Sequence, residues 1–161
     1  MVYGAWLLLL ALLTLLFSRW LDLRHNPNRE LQAVQDAQGQ TAVVLKRNSA
    51  GHYVASGLID GEPVVFLLDT GATDVALSST LADRLGLRRG LSVTSMTANG
   101  SVTGWMTTLD LVQLGPIRLH KVRALIMPSM GDDEVLLGMS FLKHLQWSQR
   151  GGELVLSMPE A

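Results

Sequence analysis

Val64-Val65-Phe66-Leu67-Leu68-Asp69-Thr70-Gly71-Ala72-Thr73 is the stretch from which the rest of the chain can be ordered. Its first five residues are apolar, rich in β-branched and aromatic types and too few for a stable helix, so they predict a buried strand that ends on a carboxylate. An ionised Asp next to such a strand carries a heavy desolvation cost unless it is paired or hydrogen-bonded. Gly71 then allows a tight turn or a close approach by another chain, and the Thr70 hydroxyl can both donate and accept.

Outward from this stretch the pattern stays that of strands. Thr41–Lys46, His52–Ile59 and Pro63–Leu68 are β-type runs, the last two joined by Asp60-Gly61, a favoured hairpin turn. Downstream, Val75–Leu77 resumes a strand, and Ser78 or Ser79 caps a short helix that runs to Leu85 and stops at Gly86. Further strands are predicted at Ser92–Ala98, Val102–Leu111, Ile117–Leu119, Val122–Met127, Val135–Leu137 and Glu153–Ser157, with a second short helix over Gly138–Leu145. Many short strands with regular turns predict an all-β barrel or sandwich.

The chain of 161 residues suffices for one domain and an appendage, not for two full lobes. A net charge of −1 with no Lys/Arg run gives no footprint for nucleic acid, which leaves proteins or peptides as partners. The absence of cysteine excludes a disulfide framework, a thiol nucleophile and a thiolate metal site. His25, His52, His120 and His144 are scattered without ligand spacing, so no metal is expected. Asp132-Asp133-Glu134 reads as an exposed acidic loop rather than a cation site. Gly138-Met139-Ser140 lacks the second glycine of a nucleophile elbow, because Leu142 stands there.

Val2–Phe17 is almost entirely apolar and predicts a membrane segment, with residues 2–21 in the bilayer if Arg19 snorkels and Trp20 and Leu21 sit at the interface. The rival is a cleaved signal peptide. No basic residue precedes the apolar run, and Ser18-Arg19-Trp20 is a poor cleavage site, so the segment reads as an uncleaved anchor over residues 1–23. Arg19, Arg24 and Arg29 follow the span and favour a cytoplasmic domain. Residues 24–40 are polar and Gln-rich and read as a tether, within which Glu30–Ala37 could form a marginal helix.

Leu67-Leu68-Asp69-Thr70-Gly71-Ala72 and the distant Val135-Leu136-Leu137-Gly138 resemble, in order, the two signatures of the retropepsin-like aspartic proteases, bacterial relatives of the retroviral enzymes. The resemblance extends from about Thr41 to Ser157. It implies a closed β-barrel protease domain over residues 41–158, with the Leu136-Leu137-Gly138 strand passing beneath the catalytic loop and no cofactor. Relatives with an N-terminal anchor sit in the bacterial inner membrane and are often read as facing the periplasm, against the charge bias, so the side stays open.

Carboxylate-catalysed amide hydrolysis needs one ionised oxygen and one protonated group together, which two carboxylates about 3 Å apart provide by sharing a proton. This chain carries one Asp-Thr-Gly, so the catalytic reading requires a homodimer with Asp69 from each copy. By the resemblance, Thr70 interlocks with its mate, Gly71 lets the loops meet, and Ala72 and Thr73 lie along the substrate backbone. Asp74 is a further substrate contact or a solvated turn residue. Asn99-Gly100 is a hairpin signal that, read alone, fits an ordinary surface hairpin; by the resemblance it marks, with Ser101, the tip of a flap over Thr97–Thr103, with Trp105 packing at its base. Two departures stand out. Retroviral enzymes usually have Asp where this chain has Thr73, and Arg where it has Met139, so an ion pair near the dimer interface is missing. The alternative reading is a catalytically inactive dimeric peptide-binding or scaffold domain of the same fold, in which Asp69 caps its own loop.

Overall fold

The computed structural model describes residues 2–36, 39–97, 100–132 and 134–159. Helix α1 spans Val2–His25 and is followed by strands β1 (Val34–Gln35), β2 (Thr41–Lys46), β3 (Val54–Ile59), β4 (Glu62–Leu68) and β5 (Val75–Ser78). Helix α2 (Ser79–Arg84) leads to β6 (Ser92–Thr97), β7 (Gly100–Leu114), β8 (Ile117–Met127) and β9 (Val135–Leu137). Helix α3 (Met139–Leu142), β10 (Gln146–Arg150) and β11 (Glu153–Ser157) complete the order.

One sheet runs β3-β4-β9-β5-β8-β7-β6, and a further pairing of β3 with β7 through Leu58↔Gln113 and Ile59↔Val112 closes six of its strands into a barrel. The seventh, β6, hangs outside the ring on β7. Strands β4 and β9 are parallel, as are β5 and β8, while the other pairings are antiparallel. The expected closed all-β barrel is therefore present. Inside it, Phe66, Leu77, Leu109, Ile126, Leu137 and Phe141 are fully buried, each stabilising by roughly 1.5–3 kcal/mol relative to exposure.

Local chemistry explains most boundaries. Ile59 pairs with Glu62, so Asp60-Gly61 is a two-residue loop, and both residues take positive φ (51° and 88°), the conformation whose twist matches a hairpin. Ser78 Oγ accepts the Leu81 N–H and starts α2. The expected break between Ile117–Leu119 and Val122–Met127 does not occur: β8 runs through His120 and Lys121, whose side chains point to water. Strand β7 is likewise longer than the expected Val102–Leu111. The second helix is shorter than Gly138–Leu145, a single turn from Met139 to Leu142.

A second sheet, ordered β1-β2-β11-β10, packs Val43, Leu45, Leu154 and Leu156 into the same core. The sequence missed two of its strands. Every β10 residue is exposed, so no apolar alternation marks it. In the Glu30–Ala37 segment, Val34 and Gln35 pair with Ala42 and Thr41 instead of forming a helix; Ala37 lies outside the described residues. Pairing with β2 satisfies backbone groups at Val34 and Gln35, where a helix of eight residues would be marginal in water.

The segment expected to be a loose tether is packed at its start. Asn26 and Asn28 are each only 5% exposed, and Asn28 forms a parallel bridge with Ala55. The Asn28 carboxamide donates to Lys46 O and Val54 O and accepts Lys46 N–H, joining β2 to β3.

Candidate active site

Strand β4 ends at Leu68, and Asp69 stands half-buried at the barrel rim with Thr70 and Gly71 exposed beyond it. The loop is held chiefly by β9 and α3. Asp69 N–H donates to Leu137 O (3.2 Å), Met139 N–H to Ala72 O (2.8 Å) and Ser140 N–H to Thr73 O (2.9 Å). Asp69 Oδ1 accepts Gly71 N–H at 2.8 Å, and Ala72 N–H donates to Asp69 O. A Cβ on Gly71 would lie 3.1 Å from Asp69 Oδ1, so the glycine leaves the carboxylate room without needing positive φ.

The Leu136-Leu137-Gly138 segment runs beside the loop's incoming and outgoing strands. Leu67 and Leu68 pair with Leu136 and Leu137, and Leu136 also pairs with Ala76, so β9 joins the strands on both sides of the loop. A Cβ at Gly138 would come within 2.2 Å of Asp74 O and 2.7 Å of Ala72 O, both backbone atoms. The loop rests directly on this glycine.

Two residues that sequence reasoning did not assign to the site complete the support. Ser140 is buried; its hydroxyl donates to Arg123 O (2.7 Å) and accepts Val75 N–H (3.0 Å), joining α3, β8 and the outgoing end of the loop. Arg123 Nε donates to Asp74 Oδ1 at 2.6 Å, and the Asp74 side chain is only 15% exposed. Asp74 is thus not a solvated turn residue: its carboxylate is engaged by Arg123. With Thr73 and Met139 uncharged, this loop's ion pair lies one position on, with the cation supplied by β8. No sequence signal reveals a partner 49 residues away, although Ser140, two residues after Gly138, was close enough to the motif to be considered.

The hairpin expected as a flap exists as β6 and β7. Thr97 pairs with Gly100, whose φ is 108°, and Ser101 pairs with Met96; Ala98 and Asn99 lie outside the described residues. Trp105 pairs with Ser92, packs against the core and lies beneath the Arg89 guanidinium at 5.5 Å from the ring centroid. Among the described residues no cluster of His, Asp and Glu could hold a metal ion. Glu134 is not a free member of an acidic loop, because its Oε1 lies 2.6 Å from His25 Nε2; Asp133 lies outside the described residues.

A broad groove on the single chain, lined by Leu87, Met106, Thr108, Asp110 and Arg123, leaves Asp69 out. On its own, the chain offers a rigidly supported carboxylate at an open rim.

Residues 55–144 match the model of a family described as gag-polyprotein putative aspartyl protease. The chain is 35% identical over 119 residues to an uncharacterized protein in the cobV 5′ region of Sinorhizobium sp., a match covering 72% of this chain and 51% of the relative. It is 27% identical over 108 residues to uncharacterized protein RP867 of Rickettsia prowazekii (strain Madrid E), covering 65% and 46% respectively. The chain thus spans about half the length of these curated relatives. Among solved structures, a retropepsin-like aspartic protease from Rickettsia conorii superposes with a TM-score of 0.62 at 24% identity, covering 80% of this chain and 96% of that one. An EIAV protease complexed with the inhibitor HBY-793 gives 0.50 at 22% identity, covering 62% and 92%. The two superpositions demonstrate a common fold.

Proposed function

This chain belongs to the gag-polyprotein aspartyl protease family and has the retropepsin-like fold, and from that premise we propose that it is a membrane-anchored endopeptidase, active as a homodimer. The observation that carries the reading is the support of Asp69: one carboxylate per chain, half-exposed at the rim, on a loop fixed from below by β9, Gly138 and α3. Such fixation suits a group that must meet a reacting atom in one geometry.

In the dimer, Asp69 of each copy faces the other across a two-fold axis, with Gly71 permitting the approach and Thr70 interlocking the loops. The two carboxylates share one proton. The ionised one removes a proton from water as the water oxygen bonds to the peptide carbon, while the protonated one donates to the carbonyl oxygen. Collapse of the tetrahedral diol breaks the C–N bond, with a proton passing to the leaving nitrogen. Ala72 and Thr73 line the substrate backbone. Gly100 and Ser101 cover it from the flap, excluding water. Asp74, engaged by Arg123, positions the loop.

Strand β10 is the surface we assign to the subunit contact. It is an edge strand, paired on one side with β11 and on the other with no strand among the described residues, exposed at all five positions, with Trp147 55% exposed. Antiparallel pairing of two identical edge strands generates a two-fold axis, the symmetry that the half-site requires. Helix α1 supplies a span over Trp6–His25, which we place as a single pass in a bacterial inner membrane; holding both copies in one bilayer raises their effective concentration.

A loop-capping Asp in a scaffold protein would make the same bond to Gly71 N–H. Asp69→Asn separates the two readings, since the carboxamide oxygen still accepts that N–H but cannot act as a base. The wild-type chain of residues 1–161 should cleave an unstructured peptide mixture, and the variant, equally folded, should lose that cleavage by about 10²-fold or more. Equal cutting by the variant, or none by wild type from acidic to neutral pH, overturns the proposal.

A further inference from the structure

The end of α1 is built into the barrel. Asn48 Nδ2 donates to His25 O (3.0 Å), His25 Nε2 meets Glu134 Oε1 (2.6 Å), and Asn26 Nδ2 donates to Ser56 Oγ (3.0 Å). Asn28 N–H donates to Asn26 Oδ1, and Arg29 turns back to Asp22 at 3.5 Å. Asparagines buried this deeply are tolerated because their polar atoms find partners, so the junction is part of the fold and not slack chain. A flexible linker of the same length would instead let the domain wander by about 5–6 Å times the square root of its residue number.

The place of this junction matters. Glu134 stands three residues before Leu137, whose carbonyl accepts the Asp69 N–H, and three extended residues cover about 10 Å. The end of the span and the candidate catalytic carboxylate therefore flank one short strand. At the other side of the junction, Trp20 stacks near Phe17 and lies under the Arg24 guanidinium, an aromatic and basic pairing suited to a headgroup layer.

Resting on the anchored-protease reading above, we infer that the substrates are polypeptides held at the same membrane face and cut in an extended segment close to the bilayer surface. With no slack between span and barrel, the site stays within a few tens of ångströms of the headgroups. A substrate tethered in the same bilayer arrives at high effective concentration, whereas the scissile segment of a long, distal domain lies beyond reach. Two copies inserted from the same side place the two-fold axis along the membrane normal, so both halves of the site stand at the same height.

The test uses full-length protein in lipid vesicles and one cleavable peptide in three forms: soluble, lipid-anchored by a short spacer, and lipid-anchored by a long flexible spacer. The short-spacer form should be cut about tenfold faster than either of the others. A Gly/Ser insertion of about twenty residues between His25 and Asn26 keeps the Asn28 contacts and should remove the spacer preference while soluble cleavage persists. Equal wild-type rates across spacer lengths, or a preference unchanged by the insertion, overturn the inference and leave the protease reading standing. Protein that fails to float with the vesicles while still cleaving through Asp69 removes the anchor and the inference together. Absence of Asp69-dependent cleavage in every form removes the protease reading itself.

Discussion

The loop from Asp69 to Val75 and the hairpin of β6 and β7 are built in opposite ways. The loop donates to Leu137 O and Ser140 Oγ and accepts from the N–H groups of Met139 and Ser140, all more than sixty residues further along the chain, and lies on Gly138 with no room for one more carbon. The hairpin's outer strand pairs with β7 alone, and Met96 on it is 81% exposed. A group that must be placed to a fraction of an ångström draws its bonds from remote segments, so that it cannot shift unless the fold does. A hairpin that opens over substrate, as proposed for β6 and β7, would depend mainly on itself.

Substitutions can break this contrast at graded cost. Gly138→Ala should have the largest effect, because its Cβ would meet backbone oxygens that no side-chain motion can clear; a loss of about 3 kcal/mol or outright misfolding is expected in denaturant titration. A wild-type midpoint for that variant would show the loop to be softer than its contacts imply. Ser140→Ala leaves the buried Val75 N–H without its acceptor and should cost about 1–3 kcal/mol, with kcat falling more than KM rises as the loop loses its seating. Arg123→Ala comes third. The arginine side chain is 59% exposed, so solvent screens the pair and the loss should be about 1 kcal/mol or less, again read in kcat before Tm. Met96→Ala should leave the denaturation midpoint within about 0.5 kcal/mol of wild type while altering KM, since its side chain faces solvent on the flap. A large stability loss from that variant would mean the hairpin is structural after all.

What was legible in the sequence follows from how local each device is. Asp60-Gly61 and the Ser78 cap act through neighbours a few residues away, and both stand where the pattern placed them. The Asp69 loop and the strand beneath it were found because a family resemblance links two distant motifs, a connection that periodicity alone cannot supply. What escaped was long-range and polar. Asn28 bridges β2 and β3, Arg123 reaches Asp74, and Glu134 meets His25 across 109 residues; each looks in sequence like an ordinary surface residue. Strand β10 escaped for a related reason: an exposed edge has no apolar face to declare it.

In the smaller sheet, Ala42 and Ser157 sit opposite each other on β2 and β11, strands about 4.8 Å apart. Strand β2, which precedes the barrel strands in sequence, and β11, which follows them, are therefore neighbours, and a few residues would join them into a ring. A circular permutant, newly opened at the exposed Gly151-Gly152 turn, would keep every pairing of the barrel. The same adjacency means that two barrels could be fused head to tail with a modest connector, giving one polypeptide that owns both Asp69 loops, so that the proposed pairing would no longer depend on concentration.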